Sequence, residues 1–476
     1  MSDAALLIER AATAGVELCL DGDRLRCLAP AGRIAPDLQA LLSANKEALR
    51  AELTRRAAAT LRGPLSPLQE SLYFEFLRAP KDSAYNIGLW VDLDGELDVA
   101  ALEAALQALL QRHAALRTCF PDDGELEQEV LPASAFRFVG GGREIDEARA
   151  EAELDTLLCQ PLAIDSEVPL RAHLLRLAPR RHLLLICIHH IAADASSLAL
   201  LYAELGQLYG GAVDTSLGAP GLSYLAYARR QQHWLAGSAG RAQLERAVQA
   251  VGAPPPPLAL GLPVAGAQRC LESLPFVPDA ALCVRIDARA RALRASRFEL
   301  MLAAFARALG RCTGSSTVIV GITVSTRDSA DVAATVGYFV NLVPLRLVLT
   351  EEGSADWMKQ VSMQARSAQD LARIPYARLC QQLAEHWPQQ ASQPLVQVNF
   401  TFVAQQFAVA PWPGLRMGQP RGRTVAPKFA LNVQLQDERG ALAATLQSDA
   451  AQVSPEFVAA LAHAWLADIE RLITED

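Results

Sequence analysis

The chain has 476 residues, of which 51% are hydrophobic and 20% charged, an ordinary globular composition with room for roughly two to four domains or lobes. Its net charge of −8 and pI near 5.6 argue against a nucleic-acid binder, which carries a strong basic face. Nine cysteines stand singly at 19, 27, 119, 159, 187, 270, 283, 312 and 380, and none is in CxxC spacing. That pattern reads as reduced thiols in a cytosolic protein, not a disulfide framework or a zinc site. No signal peptide is visible and no apolar run approaches a membrane span. The expectation is a soluble, cytoplasmic protein that holds no metal and binds neither membrane nor nucleic acid.

Residues 4–14 predict a short amphipathic helix ended by Gly15, a residue suited to a helix C-cap. Two alternating runs follow, Val16 to Leu20 and Arg24 to Leu28, which read as half-buried strands joined by a turn at Asp21-Gly22-Asp23. Residues 36–58 predict a helix with Leu38, Leu41, Leu42, Leu49 and Leu53 on one stripe. Residues 1–60 thus form a small separate domain. Residues 60–64, with Gly63 and Pro64, read as a linker.

The remainder divides near 251–264, where four consecutive prolines, 254–257, make a stiff connector. On either side, strands (183–188, 318–324) alternate with helices (99–113, 196–209, 298–309, 455–472). Ser454-Pro455-Glu456 is a clean start for the last helix. Two α/β lobes, 64–250 and 265–476, fit this pattern.

The sharpest chemical signal is His189-His190-Ile191-Ala192-Ala193-Asp194, at the end of an apolar strand and just before Ser196-Ser197. Histidine is scarce, with 8 in the chain, so an adjacent pair is informative. Side chains alternate along a strand, so His189 and His190 point to opposite faces. One can face a cavity while the other packs. The bland alternative is a pair of structural histidines beside an Asp that caps a helix. Cys187 shares a face with His189 and reads as a structural thiol. GxSxG, P-loop, GxGxxG and HExxH motifs are absent from the sequence.

The motif resembles the HHxxxDG signature of condensation domains in the chloramphenicol-acetyltransferase-like superfamily. Further signatures of that family follow in order: Ser66 to Tyr73, Arg112 to Phe120, Tyr224 to Ala228, Val336 to Asn341, Ile374 to Tyr376, and Gln393 to Phe400. The resemblance covers nearly all of 64–476. It implies two chloramphenicol-acetyltransferase-like lobes in a V-shaped pseudo-dimer with a tunnel between them. Residues 1–60, with Gly15 to Leu18, Asp21 to Leu25 and the Leu-rich end near Lys46, resemble the tubulysin-synthetase-type N-terminal docking domain.

The family implies amide formation between an upstream carrier-bound acyl or peptidyl thioester and a downstream carrier-bound amine. The substrates ride on phosphopantetheine of partner carrier proteins, and the domain itself binds no cofactor. By resemblance His190 faces the tunnel as general base or amine positioner, and His189 packs. Asp194 pairs with Arg117 of the LRT segment, or simply caps a helix. Ser197 holds the usual serine position. Ala195 replaces the family's glycine. If that position needs positive φ, the methyl costs about 1–2 kcal/mol and narrows the space beside the thioester.

Tyr338, Phe339 and Asn341 fall beside a second-lobe strand near the channel; Asn341 holds either a pantetheine amide or a loop. Arg327 falls in the floor-loop region, bracing it or solvated. Arg24 and Arg26, on the hairpin edge, meet the acidic C-terminal tail of an upstream synthase subunit by strand addition, or are merely solvated. A monomer is expected. Two other readings stay open: a catalytically silent platform that recruits proteins, and a free-standing acyltransferase using CoA or alcohol acceptors.

Overall fold

The computed structural model describes the chain except residues 1–2, 22–23, 30–33, 58–60, 137, 212–216, 219, 262–268, 350–352, 391–392, 404–411, 424–425, 439–440 and 476. The chain forms two units. The first comprises Met1–Gly237, Arg327–Phe339 and Phe407–Val425; the second comprises Ser238–Thr326, Val340–Gln406 and Ala426–Asp476.

The first unit opens with the expected helix–hairpin–helix mini-domain: α1 (Asp3–Thr13), β1 (Glu17–Asp21), β2 (Arg24–Leu28), α2 (Pro36–Ala44) and α3 (Lys46–Ala57). Gly15 terminates α1 at φ +75°. Its N–H donates to Ala12 O and that of Val16 to Ala11 O, both at 2.9 Å, which is a Schellman cap. β1 and β2 pair antiparallel with Asp21 opposite Arg24, the register of a tight hairpin; Gly22 and Asp23 lie outside the described residues. Ala4, Ile8, Ala11, Val16, Leu18, Leu38, Leu42 and Leu49 make the mini-domain's own core.

The single helix expected over 36–58 is two helices. Asn45 leaves the helical region at φ −111°, ψ 21°, and its Nδ2 donates to Leu41 O at 2.9 Å. A side-chain amide that competes for the helix's own carbonyl explains the break. Leu41, expected on the apolar stripe, is exposed.

The 60–64 linker is also corrected. Leu61–Pro64 forms β3, paired antiparallel with β6 (Glu127–Val130), which pairs in turn with β5 (Thr118–Cys119). Gly-Pro reads locally as a breaker, but pairing overrides it, and the proline sits on an edge strand where no N–H is needed.

The chain continues through α4 (Pro67–Arg78), β4 (Asn86–Gly95), α5 (Val99–Arg112), β7 (Val139–Glu144), α6 (Ala150–Leu158), β8 (Leu170–Ala178), β9 (Arg181–His189), α7 (Ala195–Tyr209) and α8 (Tyr224–Ala236). Strands β4, β9 and β8 are antiparallel neighbours, and β7 joins β8 in parallel. From His182 to His189 every residue of β9 is buried, as expected for a central strand covered on both faces. Leu106, Leu110, Leu184, Ile186, Leu201 and Leu205 lie in one continuous core.

In the second unit come α9 (Ser238–Val251), β10 (Leu271–Phe276), α10 (Ala280–Ala292), α11 (Arg297–Thr313), β11 (Thr317–Ser325), β12 (Val340–Val348), α12 (Ser354–Leu371), α13 (Tyr376–His386) and β13 (Val398–Val403). Two short strands, β14 (Leu415–Met417) and β15 (Arg421–Arg423), return to the first unit and pair with β4. Then β16 (Leu431–Glu438), β17 (Ala441–Asp449) and α14 (Pro455–Thr474) complete the second unit. Its sheet runs β10-β17-β16-β13-β11-β12, and α11 is almost wholly buried.

The boundary expected at 251–264 falls instead at 237/238. The buried Ala247, Val248 and Val251 face of α9 packs with α12, α13 and β12, so α9 belongs to the second unit. The four prolines belong to that unit, with Pro254 and Pro255 half-buried and Pro256 and Pro257 exposed. They line a groove with Leu383, Trp387 and Leu395, and Leu258 is tied to Gln397 by Leu258 N–H donating to Oε1 at 2.6 Å.

Candidate active site

The histidine pair occupies the turn from β9 into α7. Asn86 stands opposite His189 in the register, so His189 is the last paired residue and its side chain keeps the Cys187 face. It is buried, its Nδ1 accepts from Ile191 N–H at 3.2 Å, and its ring meets Phe76 edge-on. Burial pushes the Cys187 thiol up to about 12, so it stays protonated and unreactive at neutral pH.

His190 leaves the ladder. Its backbone N–H donates to Tyr85 O at 2.7 Å and its half-buried ring turns back on the motif. Nδ1 lies 2.8 Å from Ala193 O. A carbonyl can only accept, so Nδ1 carries a proton, and of the two neutral tautomers this contact selects the one whose basic nitrogen is Nε2. The Tyr338 ring stands edge-on to the imidazole, centroids 5.1 Å apart. Burial holds the Tyr338 phenol well above its ordinary range, so it remains neutral.

Asp194 is buried and performs two tasks. As N-cap of α7 its Oδ1 accepts from Ser197 N–H at 2.7 Å. The same carboxylate binds Arg327, whose Nη2 is 3.0 Å from Oδ1 and 3.2 Å from Oδ2. Ser197 Oγ donates to Oδ1 at 2.7 Å and accepts from Arg327 Nη2 at 2.9 Å and Gly337 N–H at 3.1 Å. Phe339 N–H donates to Oδ2 at 3.2 Å. The buried charge is therefore paired and its lone pairs are filled, the condition under which such a pair is tolerated.

This corrects the expected partner. Arg117 does not reach Asp194; its Nε and Nη1 donate to Leu110 O at 3.1 Å and Leu131 O at 2.6 Å. Burial alone pushes its guanidinium below the usual arginine range. Arg327 is neither solvated nor a brace of its own loop only. Its Nη1 gathers Val332 O and Thr335 O at 2.8 and 2.7 Å, while Nη2 fixes the histidine motif.

Ala195 is the first residue of α7, and among the described residues the one non-glycine with positive φ is Arg294. The alanine methyl is exposed and the backbone there is helical, so no φ strain follows from the missing glycine.

Tyr338 and Phe339 pack in the first unit, not with the second-lobe strand they precede. Asn341 is the second residue of β12, in the second unit, and is buried. Its Nδ2 donates to Ala372 O and Ile374 O at 2.8 and 2.5 Å, and its Oδ1 accepts from Tyr376 N–H at 3.1 Å. Its polar atoms are committed to the turn between α12 and α13, which removes it as a pantetheine ligand. Arg24 and Arg26 both belong to β2; Arg26 is exposed, and the side chain of Arg24 lies outside the described residues.

Gln69, Ser66 and Tyr224 received no role from sequence, although each falls in a recognised signature. Ser66 and Gln69 form the capping box of α4, and Gln69 Nε2 donates to Ile191 O at 3.3 Å. Tyr224 Oη is 2.9 Å from Ser66 Oγ and donates to Tyr338 O at 2.5 Å. The capping-box pattern S-x-x-Q was visible; its reach to the histidine turn was not.

The model of the family described as Condensation domain matches residues 62–475, and that of the TubC N-terminal docking domain matches 5–51. The chain belongs to the condensation-domain family and carries a TubC-type docking domain. It is 30% identical over 362 residues to the chondramide synthase cmdD of Chondromyces crocatus, covering 72% of this chain and 9% of that protein. It thus spans a small fraction of this relative's length. Among solved structures, the condensation domain of chain release from the enacyloxin polyketide synthase is 25% identical, with TM-score 0.67, covering 99% of this chain and 96% of that one. The X-domain of teicoplanin biosynthesis, in complex with OxyB, matches with TM-score 0.75 at 23% identity over 87% of this chain and 93% of that one. The α/β condensation-domain fold expected from the motifs is the fold of this chain.

Proposed function

We propose that this chain joins an upstream carrier-bound acyl or peptidyl thioester to an amine on a downstream carrier, with His190 at the reacting centre. The observation that carries this reading is the His190 ring: Nδ1 is anchored on Ala193 O at 2.8 Å, which leaves Nε2 as the basic nitrogen. The amine nitrogen attacks the thioester carbonyl carbon, and a tetrahedral oxyanion forms. Its collapse expels the phosphopantetheine thiolate. The amine's surplus proton passes to, or is shared with, Nε2 and then reaches the thiolate. Anchoring the ring before the reaction removes an orientational cost from that step.

The docking mini-domain would take the C-terminal tail of the upstream synthase as an added strand along the β1–β2 ribbon, with Arg24 and Arg26 meeting acidic side chains. The pantetheine belongs to the carriers, and the domain acts as a monomer. The eight described cysteines are free thiols, which suits the reducing cytoplasm. No helix among the described residues is long and apolar enough to cross a membrane.

A second reading is release of the chain onto a free amine or hydroxyl acceptor. It is favoured by the likeness over 99% of this chain, docking region included, to the enacyloxin chain-release domain. Loaded upstream carrier is mixed with acceptor, offered free or on a downstream carrier, and transfer is followed by intact-protein mass spectrometry. His190→Ala should lower transfer roughly 10²–10⁴-fold. Transfer to the free acceptor alone selects the release reading. Equal transfer by wild type and variant removes His190 from the reacting centre, and none by either with carriers still bound leaves a recruitment platform.

A further inference from the structure

The docking mini-domain does not hang from a tether in this structure. Helix α1 packs against α8 of the condensation domain, within the first unit. Ala5 and Ala12 on α1 are buried although neither is in the mini-domain's own core. Where α1 ends, the buried Gly15 rests on Arg230 of α8: a β-carbon there would come 3.0 Å from Arg230 Cδ.

Arg230 faces two ways. Its methylene stem forms the floor under Gly15. Its Nη1 is 2.6 Å from Asp331 Oδ2, with both side chains largely buried. Asp331 sits in the short 3-10 turn Ala330–Val332, and its carbonyl accepts from Leu222 N–H at 2.8 Å. The next residue, Val332, gives its carbonyl to Arg327 Nη1 at 2.8 Å, and Arg327 Nη2 holds Asp194. Asp194 closes the turn in which Ala193 O orients His190. Tyr227, one turn before Arg230 on the same helix, packs on Phe339 at 4.6 Å between centroids, and Phe339 N–H also binds Asp194.

We propose that Arg230 is a positioning residue through which the docking mini-domain braces the His190 turn. The inference rests on the proposed catalytic role of His190. Its consequence is that the mini-domain serves the reaction even when nothing is docked on it. Each link is a buried contact with a fixed geometry, so loosening one end frees the Ala330–Val332 turn and, through Arg327, the motif. Coupling of this kind commonly changes a rate by about 2- to 30-fold.

The test uses the full chain and a small soluble acyl thioester with a free amine, substrates that bypass docking. Arg230→Met should lower kcat about 10-fold with KM within about twofold, and Arg230→Lys should recover part of it by restoring a charge to Asp331. Asp331→Asn should reproduce Arg230→Met, and the two together should cost no more than either alone. Hydrogen exchange is measured in parallel on peptides covering 190–197 and 327–339. Arg230→Met and Gly15→Ala should raise exchange in both.

Unchanged kcat in folded Arg230→Met protein, or loss that Lys does not relieve, overturns the proposal. So does unchanged exchange in the two peptides. If wild type transfers nothing yet the variants deprotect both peptides, the catalytic reading fails and the brace stands.

Discussion

Arg327 lies over the ring of Phe339, its Cζ 4.0 Å from the ring centroid, while it grips both oxygens of Asp194. The guanidinium is thus covered on one face and paired at its edge. Removing it leaves a buried carboxylate with only neutral donors. Arg327→Ala should therefore cost about 3–5 kcal/mol of stability. Arg117 satisfies two backbone carbonyls, so Arg117→Ala should cost about 1–3 kcal/mol. Urea unfolding of the two variants checks the order. A greater loss from Arg117→Ala would reinstate that residue as the partner of Asp194. Arg327→Lys should not rescue, because an ammonium cannot fork between the carboxylate, Ser197 and two carbonyls.

Ala195 in place of the family's glycine looked like a defect. At the first position of α7, with its methyl exposed, it is a good helix residue. Ala195→Gly should lower stability by up to about 1 kcal/mol, through the greater backbone freedom of glycine in the unfolded chain. Transfer should stay within about twofold, since no φ strain is relieved. A rise in transfer of tenfold or more on Ala195→Gly would show instead that the methyl obstructs the substrate.

His173 on β8 and His182 on β9 give the fold an acid limit. Burial holds both imidazoles below their ordinary pKa, and the buried Nε2 of His173 and Nδ1 of His182 have no hydrogen-bond partner among the described residues. The unfolded chain takes up these protons first. Their contribution to stability is therefore intact above about pH 6.5 and is lost as pH falls through the depressed folded values. Each can add a slope of at most about 1.4 kcal/mol per pH unit in that window. Urea unfolding at pH 7.5, 6.5 and 5.5 should show His173→Gln and His182→Gln each flattening the loss. Parallel curves for wild type and variants would assign the acid limit elsewhere.

The reach of the sequence can be judged residue by residue. His190 was legible because a strand end and an adjacent pair leave one histidine out of the ladder. Gly15 was legible because a left-handed cap is a local need. The partner of Asp194 was not, because Arg327 stands 133 residues away and the pairing depends on which unit the 327–339 segment joins. The same separation hid Gln69, whose contact with Ile191 O spans 122 residues. The prolines at 254–257 drew the boundary away from α9, whose allegiance is set by packing. Asn45 split a helix that its leucine stripe alone would continue. At Asn45 a local side-chain hydrogen bond to Leu41 O outweighed the leucine pattern, and in the other failures a tertiary contact outweighed a local one.

Trp412 supplies a last test, of how the segment after β13 is held in the first unit. Its indole is buried, stacks on Tyr209 of α7 with centroids 5.0 Å apart, and fills the notch left by Gly206: a β-carbon there would fall 2.5 Å from Trp412 Nε1. The adjoining β14 and β15 then pair with β4. Trp412→Ala should cost about 3–5 kcal/mol through the cavity it opens. Gly206→Ala should cost about 1–3 kcal/mol through overpacking. The smaller Trp412→Phe removes the clashing pyrrole edge, so Gly206→Ala made in that background should cost at least about 0.5 kcal/mol less than in wild type. Denaturant titration of the four proteins closes the cycle. Additive losses would mean that the notch at Gly206 does not seat Trp412 and that strand pairing alone retains the segment.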